Sequence, residues 1–109
     1  MNAKIETYIG FCIRARKIIF GTEMIEKQKK GIYLLIADGA IGKNSLKLME
    51  SAHIKFRCPL WLTENEGLSN AVCRPAVKAV AITDENLAMA IIAIAQSEPQ
   101  FKFYSGGNN

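Results

Sequence analysis

An α/β fold, a three-layer α/β/α sandwich around a four-stranded mixed sheet, is predicted by three features of this chain. Amphipathic helical stripes alternate with short apolar segments, and one of those segments, residues 32–37, is apolar throughout, as a strand covered on both faces would be. Glycine or proline stands at most changes of element. With 109 residues, 50% of them hydrophobic and 22% charged, the composition is that of one folded domain rather than a disordered chain.

Each element has its own signal. Ile5, Tyr8, Ile9, Cys12 and Ile13 recur at helical spacing and predict a helix over about residues 3–15. Ile18-Ile19-Phe20 reads as a short strand ended by Gly21. Thr22 is placed to cap a second helix, about 22–30, with Glu23 in its first turn, Lys29-Lys30 in its last and Gly31 as its stop. Residues 32–37 form the next strand, and Asp38-Gly39-Ala40 turns the chain into a helix over 43–53. A strand over 58–62 opens with Pro59, and a short helix over 65–72 is broken by Arg74-Pro75. Residues 77–82 are the fourth strand. Thr83 or Asp84 caps the last helix, whose stripe is Leu87, Ala90, Ile91, Ile94 and Ala95. Periodicity stops there. The domain is expected to span residues 1–96, with 97–109 as a flexible C-terminal tail.

Several function classes are disfavoured by the same residues. Cys12, Cys58 and Cys73 are odd in number, widely spaced and form no C-x-x-C pair, and His53 is the only histidine, so reduced thiols in the cytoplasm are expected and no metal site. No signal-peptide pattern opens the chain, and the longest apolar run, residues 87–95, is too short for a bilayer. Gly39 to Ser45 (GAIGKNS) lies between a buried strand and a helix, where a phosphate-binding loop would sit. The full pattern needs glycine at Ala37 and serine or threonine at Asn44, which favours a plain turn over nucleotide hydrolysis, although Lys43 can still meet a nucleic-acid phosphate. His53 reads as a core or boundary residue and Trp61 as core. No cofactor and no catalytic residue is expected.

Charge is uneven. Residues 1–31 carry seven bases against three acids, as expected if one face meets a polyanion, although the net charge of +4 also suits an ordinary solvated surface. The most informative stretch is GFCIRARKIIFGTEMIEKQKKG, residues 10–31. It places a helix start directly after a glycine turn, where free backbone N–H groups favour phosphate and no side chain holds an RNA backbone away. Arg14, Arg16 and Lys17 before that turn, and Lys27 after it, are read as one compact basic surface.

These residues resemble a known pattern. The order of elements and the segments Gly10…Arg14-Ala15-Arg16-Lys17, Gly21…Lys27, Leu68…Ala71 and Ala79-Val80-Ala81-Ile82-Thr83-Asp84 are similar to the ribosomal protein L-seven-Ae and L-thirty-e superfamily, and most to its bacterial YlxQ-type branch. The resemblance covers about residues 3–96. It implies a non-catalytic RNA-binding module, with ribosomal or other structured RNA, commonly a kink-turn, as its partner and possible association with the ribosome. It also implies two contact elements. One is the glycine turn and second helix, Gly21, Thr22, Glu23, Met24 and Lys27. The other is a hydrophobic loop before the last strand, Arg74, Pro75, Ala76 and Val77. Strict kink-turn readers carry a glycine-x-asparagine-glutamate signature; here Glu23 and Met24 hold the two reading places, and Cys73 stands where the family often has glycine. Two other readings remain open: a protein-interaction or regulatory domain that kept the fold, and a small nucleotide-binding enzyme using Gly42-Lys43.

Overall fold

The computed structural model describes residues 2–97 and 102–103. Along the chain run α1 (Ala3–Arg14), β1 (Ile18–Phe20), α2 (Thr22–Glu26), β2 (Leu34–Ala37), α3 (Lys43–Phe56), β3 (Leu60–Leu62), α4 (Gly67–Ala71), β4 (Ala79–Ile82), α5 (Glu85–Gln96) and β5 (Lys102–Phe103). The four expected strands pair in the order β1-β4-β2-β3, and the two-residue β5 adds to the β3 side. β4 is antiparallel to both its neighbours, whereas β2 and β3 are parallel and are joined through α3. Parallel neighbours need such a crossover, since a hairpin reverses direction.

Because successive strand residues face opposite ways, the sheet builds two cores. Leu34, Ile36, Trp61, Val80 and Ile82 pack with Ile5, Ile9 and Cys12 of α1, with Leu68 and Val72 of the α4 region, and with Ala88, Ile91 and Ala95 of α5. On the reverse face Leu35, Ala37, Leu60, Ala79 and Ala81 meet Ile25 of α2 and Met49 and Ala52 of α3. The sheet therefore lies between α1, α4 and α5 on one side and α2 and α3 on the other, which is the three-layer sandwich expected. Trp61 is core.

Local chemistry sets the helix ends. The Asn2 side chain accepts from the Lys4 and Ile5 amides at the start of α1, and Asp84 accepts from the Leu87 amide at 2.9 Å to start α5. At the end of α1 the Lys17 amide reaches the Cys12 carbonyl and the Arg16 amide reaches Ile13, with Arg16 left-handed at φ 59°. α4 ends the same way: Arg74 donates to Ser69, Cys73 to Asn70, and Cys73 has φ 56°. Both are Schellman-type stops, with the next element leaving at a sharp angle.

Several expected boundaries move. α2 begins after Gly21, which is its N-cap in place of Thr22, and stops at Glu26 rather than near residue 30. The helix closes with the Gln28 amide on the Ile25 carbonyl, and Lys55 Nζ of α3 then donates to the Gln28 carbonyl at 2.6 Å and to Glu26 at 3.4 Å, supplying partners for carbonyls left open at its end. α3 runs to Phe56, three residues past the expected end, and His53 Nδ1 bonds the Cys58 carbonyl beyond it. His53 thus ties a helix end, in keeping with the boundary role expected. Of the expected tail, residues 98–101 and 104–109 lie outside the described residues, while Lys102–Phe103 pair with Leu62 and Trp61.

Candidate functional site

One end of the strands gathers the loops that the sequence singled out. The Gly21 amide donates to the Ala79 carbonyl, the Asp38 amide to the Lys78 carbonyl and the Thr63 amide to the Ala37 carbonyl. The β1–α2 turn, the 74–78 segment, the Asp38 turn and the residues after β3 therefore lie side by side along this edge. It includes the carboxyl ends of the parallel pair β2 and β3, the position at which open α/β sheets hold ligands.

Gly21 has φ 88° and ψ 146°, backbone that L side chains adopt only under strain, and a β-carbon there would meet no atom within 4 Å. Glycine is thus required by conformation, and the space beside it is open. α2 has no side-chain cap; Thr22 is half-buried, and Glu23, Met24 and Lys27 are exposed. The second contact element adjoins the first. The Arg74 guanidinium lies over the Phe20 ring, 4.1 Å from its centre, and Pro75 and Ala76 are exposed with Val77 half-buried. That contact fixes the 74–77 loop against the end of β1. Lys43 is exposed at the first turn of α3, on the same edge.

A carboxylate that the sequence left without a role holds this edge together. Asp38 is fully buried, yet four backbone N–H groups point at it: Ala40 and Glu66 at 2.8 Å to Oδ1, and Leu68 and Ser69 at 3.1 Å to Oδ2. Ser69 Oγ lies 3.3 Å from Oδ2, donates to the Val77 carbonyl at 2.7 Å and accepts from Lys78 Nζ at 3.1 Å. Burial alone would raise the Asp38 pKa. The amides of Ala40, Ser69 and Glu66, with Lys78 nearby, outweigh it and hold the carboxyl below its ordinary value of 3.8. Asp38 therefore caps α4 from across the sheet, whose own N-cap, Glu66, is left-handed and contributes no side chain. Gly39 completes the joint, since a β-carbon there would stand 2.6 Å from the Thr63 carbonyl. With both oxygens engaged by amides, Asp38 is not placed to ligate a metal for a nucleotide beside Lys43. The signal that could have found it was an aspartate directly after an all-apolar strand.

The expected basic surface divides. Lys27 follows α2, which packs on the opposite face of the sheet from α1, and the bases at the Gly21 end are instead Lys43, Arg74 and Lys78, among Glu23, Glu64 and Glu66. Arg14, Arg16 and Lys17 lie at the other end of β1, where the Lys17 carbonyl accepts from Thr83. The three residues of β1 separate the groups by about 10 Å at ~3.3 Å per residue. Arg14 also covers the Phe11 ring at 5.0 Å. A contiguous run in sequence was split because a strand carries the chain from one edge of the sheet to the other.

Fold and edge together define an α/β/α sandwich with a loop-built site at one end of its sheet. No family model matches the chain, and no curated protein matches it. Among solved structures, a protein of unknown function from Bacillus halodurans C is similar over 85% of this chain and 97% of its own, with 19% identity and a TM-score of 0.74. At that identity the likeness establishes the shared fold. Among the described residues, no group of three or more His, Cys, Asp or Glu could hold a metal ion, and no helix is long and apolar enough to cross a membrane.

Proposed function

We propose that this protein is a non-catalytic RNA-binding module of the ribosomal-protein type, acting in the cytoplasm on structured RNA of the kink-turn kind. The observation that carries the reading is the adjacency of the two elements expected to grip RNA. Arg74 on Phe20 joins the 74–77 loop to the Gly21 turn, beside which there is room for a backbone to approach. Since acids and bases alternate along this edge, recognition here rests on shape and directed contacts more than on bulk charge. Glu23 is suited to accept from guanine or cytosine amino groups, and the exposed Pro75-Ala76 loop to cover a base that a bend has unstacked.

The test is a filter-binding titration of a kink-turn RNA against a regular duplex of equal length, over a range of salt. The kink-turn is expected to bind more tightly. Glu23→Ala should cost about 1–3 kcal/mol, as the loss of a base-edge contact does. Lys43→Ala should weaken both RNAs alike and reduce the salt slope by about 1. Equal affinity for the two RNAs, unmoved by Glu23→Ala, sinks the proposal. The second reading, a protein-interaction domain that retains the fold, is favoured by Met24, which is 50% exposed beside Glu23. Capture of translation proteins that survives RNase and is lost in Met24→Glu would support it.

A further inference from the structure

The opposite end of the strands holds a groove of about 510 Å³. One wall is the α2–β2 connection, Lys29 to Tyr33; the second is the α3–β3 connection, Lys55 to Pro59; the third is α5 through Glu85, Ala88, Met89 and Ile92. Four bases line it, Lys29, Lys30, Lys55 and Arg57, against one acid, Glu85. That balance is far more cationic than the mixed edge at Gly21, so the positive charge of this chain concentrates here. Arg16 and Lys17 lie on the same edge, about two strand spacings away, or ~10 Å.

The lining is not charge alone. Tyr33 is 39% exposed and Met89 61% exposed, so an aromatic ring and a flexible thioether stand open between the bases. Lys55 is fixed by its bonds to the Gln28 and Glu26 carbonyls and lies 4.9 Å from the Phe56 ring centre, which braces the second wall. Arg57 ends α3 in the left-handed region at φ 53°, where glycine would be the least strained choice. Arg16 and Cys73 end α1 and α4 in the same region, so this conformation is a helix stop, and what sets Arg57 apart is its exposed charge at the rim of the groove.

We propose that this groove is a second nucleic-acid site, separate from the Gly21 edge, and that it takes an unpaired RNA strand. Lys29, Lys30 and Arg57 meet the phosphates, and Tyr33 stacks one base against the Met89 wall. Cationic tracks interleaved with aromatic faces are how proteins hold single strands without reading sequence. The volume has room for about one or two nucleotides and is too narrow for a duplex. An acidic peptide would satisfy the bases but gains nothing specific from an open tyrosine face. No residue of the Gly21 edge contributes to the groove, so either site can fail alone.

The experiment is fluorescence anisotropy with a labelled oligouridine of about ten nucleotides, which offers stacking faces and phosphates but no fold. The double substitution Lys29→Glu, Lys30→Glu is expected to weaken binding at least tenfold, and Lys29→Gln, Lys30→Gln to flatten the salt slope by about 1.4, or ~0.7 per phosphate released. Tyr33→Ala should weaken it about 5- to 150-fold with the slope unchanged, while Tyr33→Phe retains it. Arg57→Gly should keep or raise the urea midpoint and still weaken binding, an opposition that a purely structural arginine would not give. Lys47→Glu, an equal charge reversal at an exposed position of α3 outside the groove lining, should leave oligouridine affinity as it is. The proposal is overturned if wild-type protein does not bind oligouridine, or if the charge reversals leave its affinity unchanged. It is equally overturned if polyglutamate binds as tightly and Tyr33→Ala makes no difference, which would mark an acidic-peptide surface.

Discussion

Replacing Asp38 removes the acceptor for four buried or half-buried backbone amides at once, and the geometry sets the scale of the loss. Hydrogen bonds to a charged group contribute about 1.5–3 kcal/mol each, and amides left unpaired cost about 1–3 kcal/mol, with strong non-additivity within one cluster. Asp38→Ala should therefore destabilise by about 4–5 kcal/mol, near the upper limit for a single substitution. Asp38→Asn keeps an oxygen for Ala40 and Glu66 but turns an NH2 toward the Leu68 and Ser69 amides, and should lose about 2–3 kcal/mol. Urea unfolding followed by circular dichroism reads both, with the midpoint falling at constant m. The sign of the pH dependence follows from the depressed pKa. The unfolded chain binds the proton more readily, so the contribution is complete well above pH 3.8 and is lost as pH falls through the lower folded value. Asp38→Asn should lack that acid-side component. A loss below ~1 kcal/mol for Asp38→Ala would refute the view that this carboxylate clamps the edge.

Other perturbations have equally definite outcomes. Gly39→Ala forces a β-carbon to 2.6 Å from the Thr63 carbonyl and 2.8 Å from the Asn65 amide nitrogen, backbone that cannot move without parting β2 from the loop after β3, and should cost about 2–4 kcal/mol by thermal melting. Gly21→Ala meets no atom, so its cost is backbone strain alone, about 1–3 kcal/mol. Cys73→Gly relieves a left-handed residue and should stabilise by about 0.5–1 kcal/mol. In native protein near pH 8, a thiol reagent should modify Cys73 first, because it is exposed. Burial pushes the Cys58 thiol up to about 11; burial, with Asp84 adding to it, does the same for Cys12, so both should react only as the protein unfolds.

Most of the architecture was legible in the sequence because it rests on short-range periodicity. The Ile5-Ile9-Cys12 stripe, the apolar run ending at Ala37 and the Asp84 cap each specify an element without reference to the rest of the chain. What could not be read depended on residues far apart. The carbonyls left at the end of α2 are met by Lys55, 29 residues beyond Glu26, and Asp38 finds three of its four amide partners 28 to 31 positions away. The candidate site was partly legible for the same reason. Gly21 and the 74–77 loop are each marked locally, but only the β1–β4 pairing brings them together. The same pairing sends Arg16 and Lys17 to the far end of the sheet, so linear proximity misplaced the cationic surface. That the bases of residues 29–30 and 55–57 would face one groove had no local signal at all.

The brevity of β1 and β5 has a consequence for the protein in a crowded solution. These outermost ribbons of the sheet are three and two residues long, so a neighbouring chain finds too few free amides and carbonyls to zip onto. Stripping Lys102–Phe103 from Trp61–Leu62 would leave the backbone amides and carbonyls of that strand without their neighbour, and turbidity on storage would report any chain that then zips onto them.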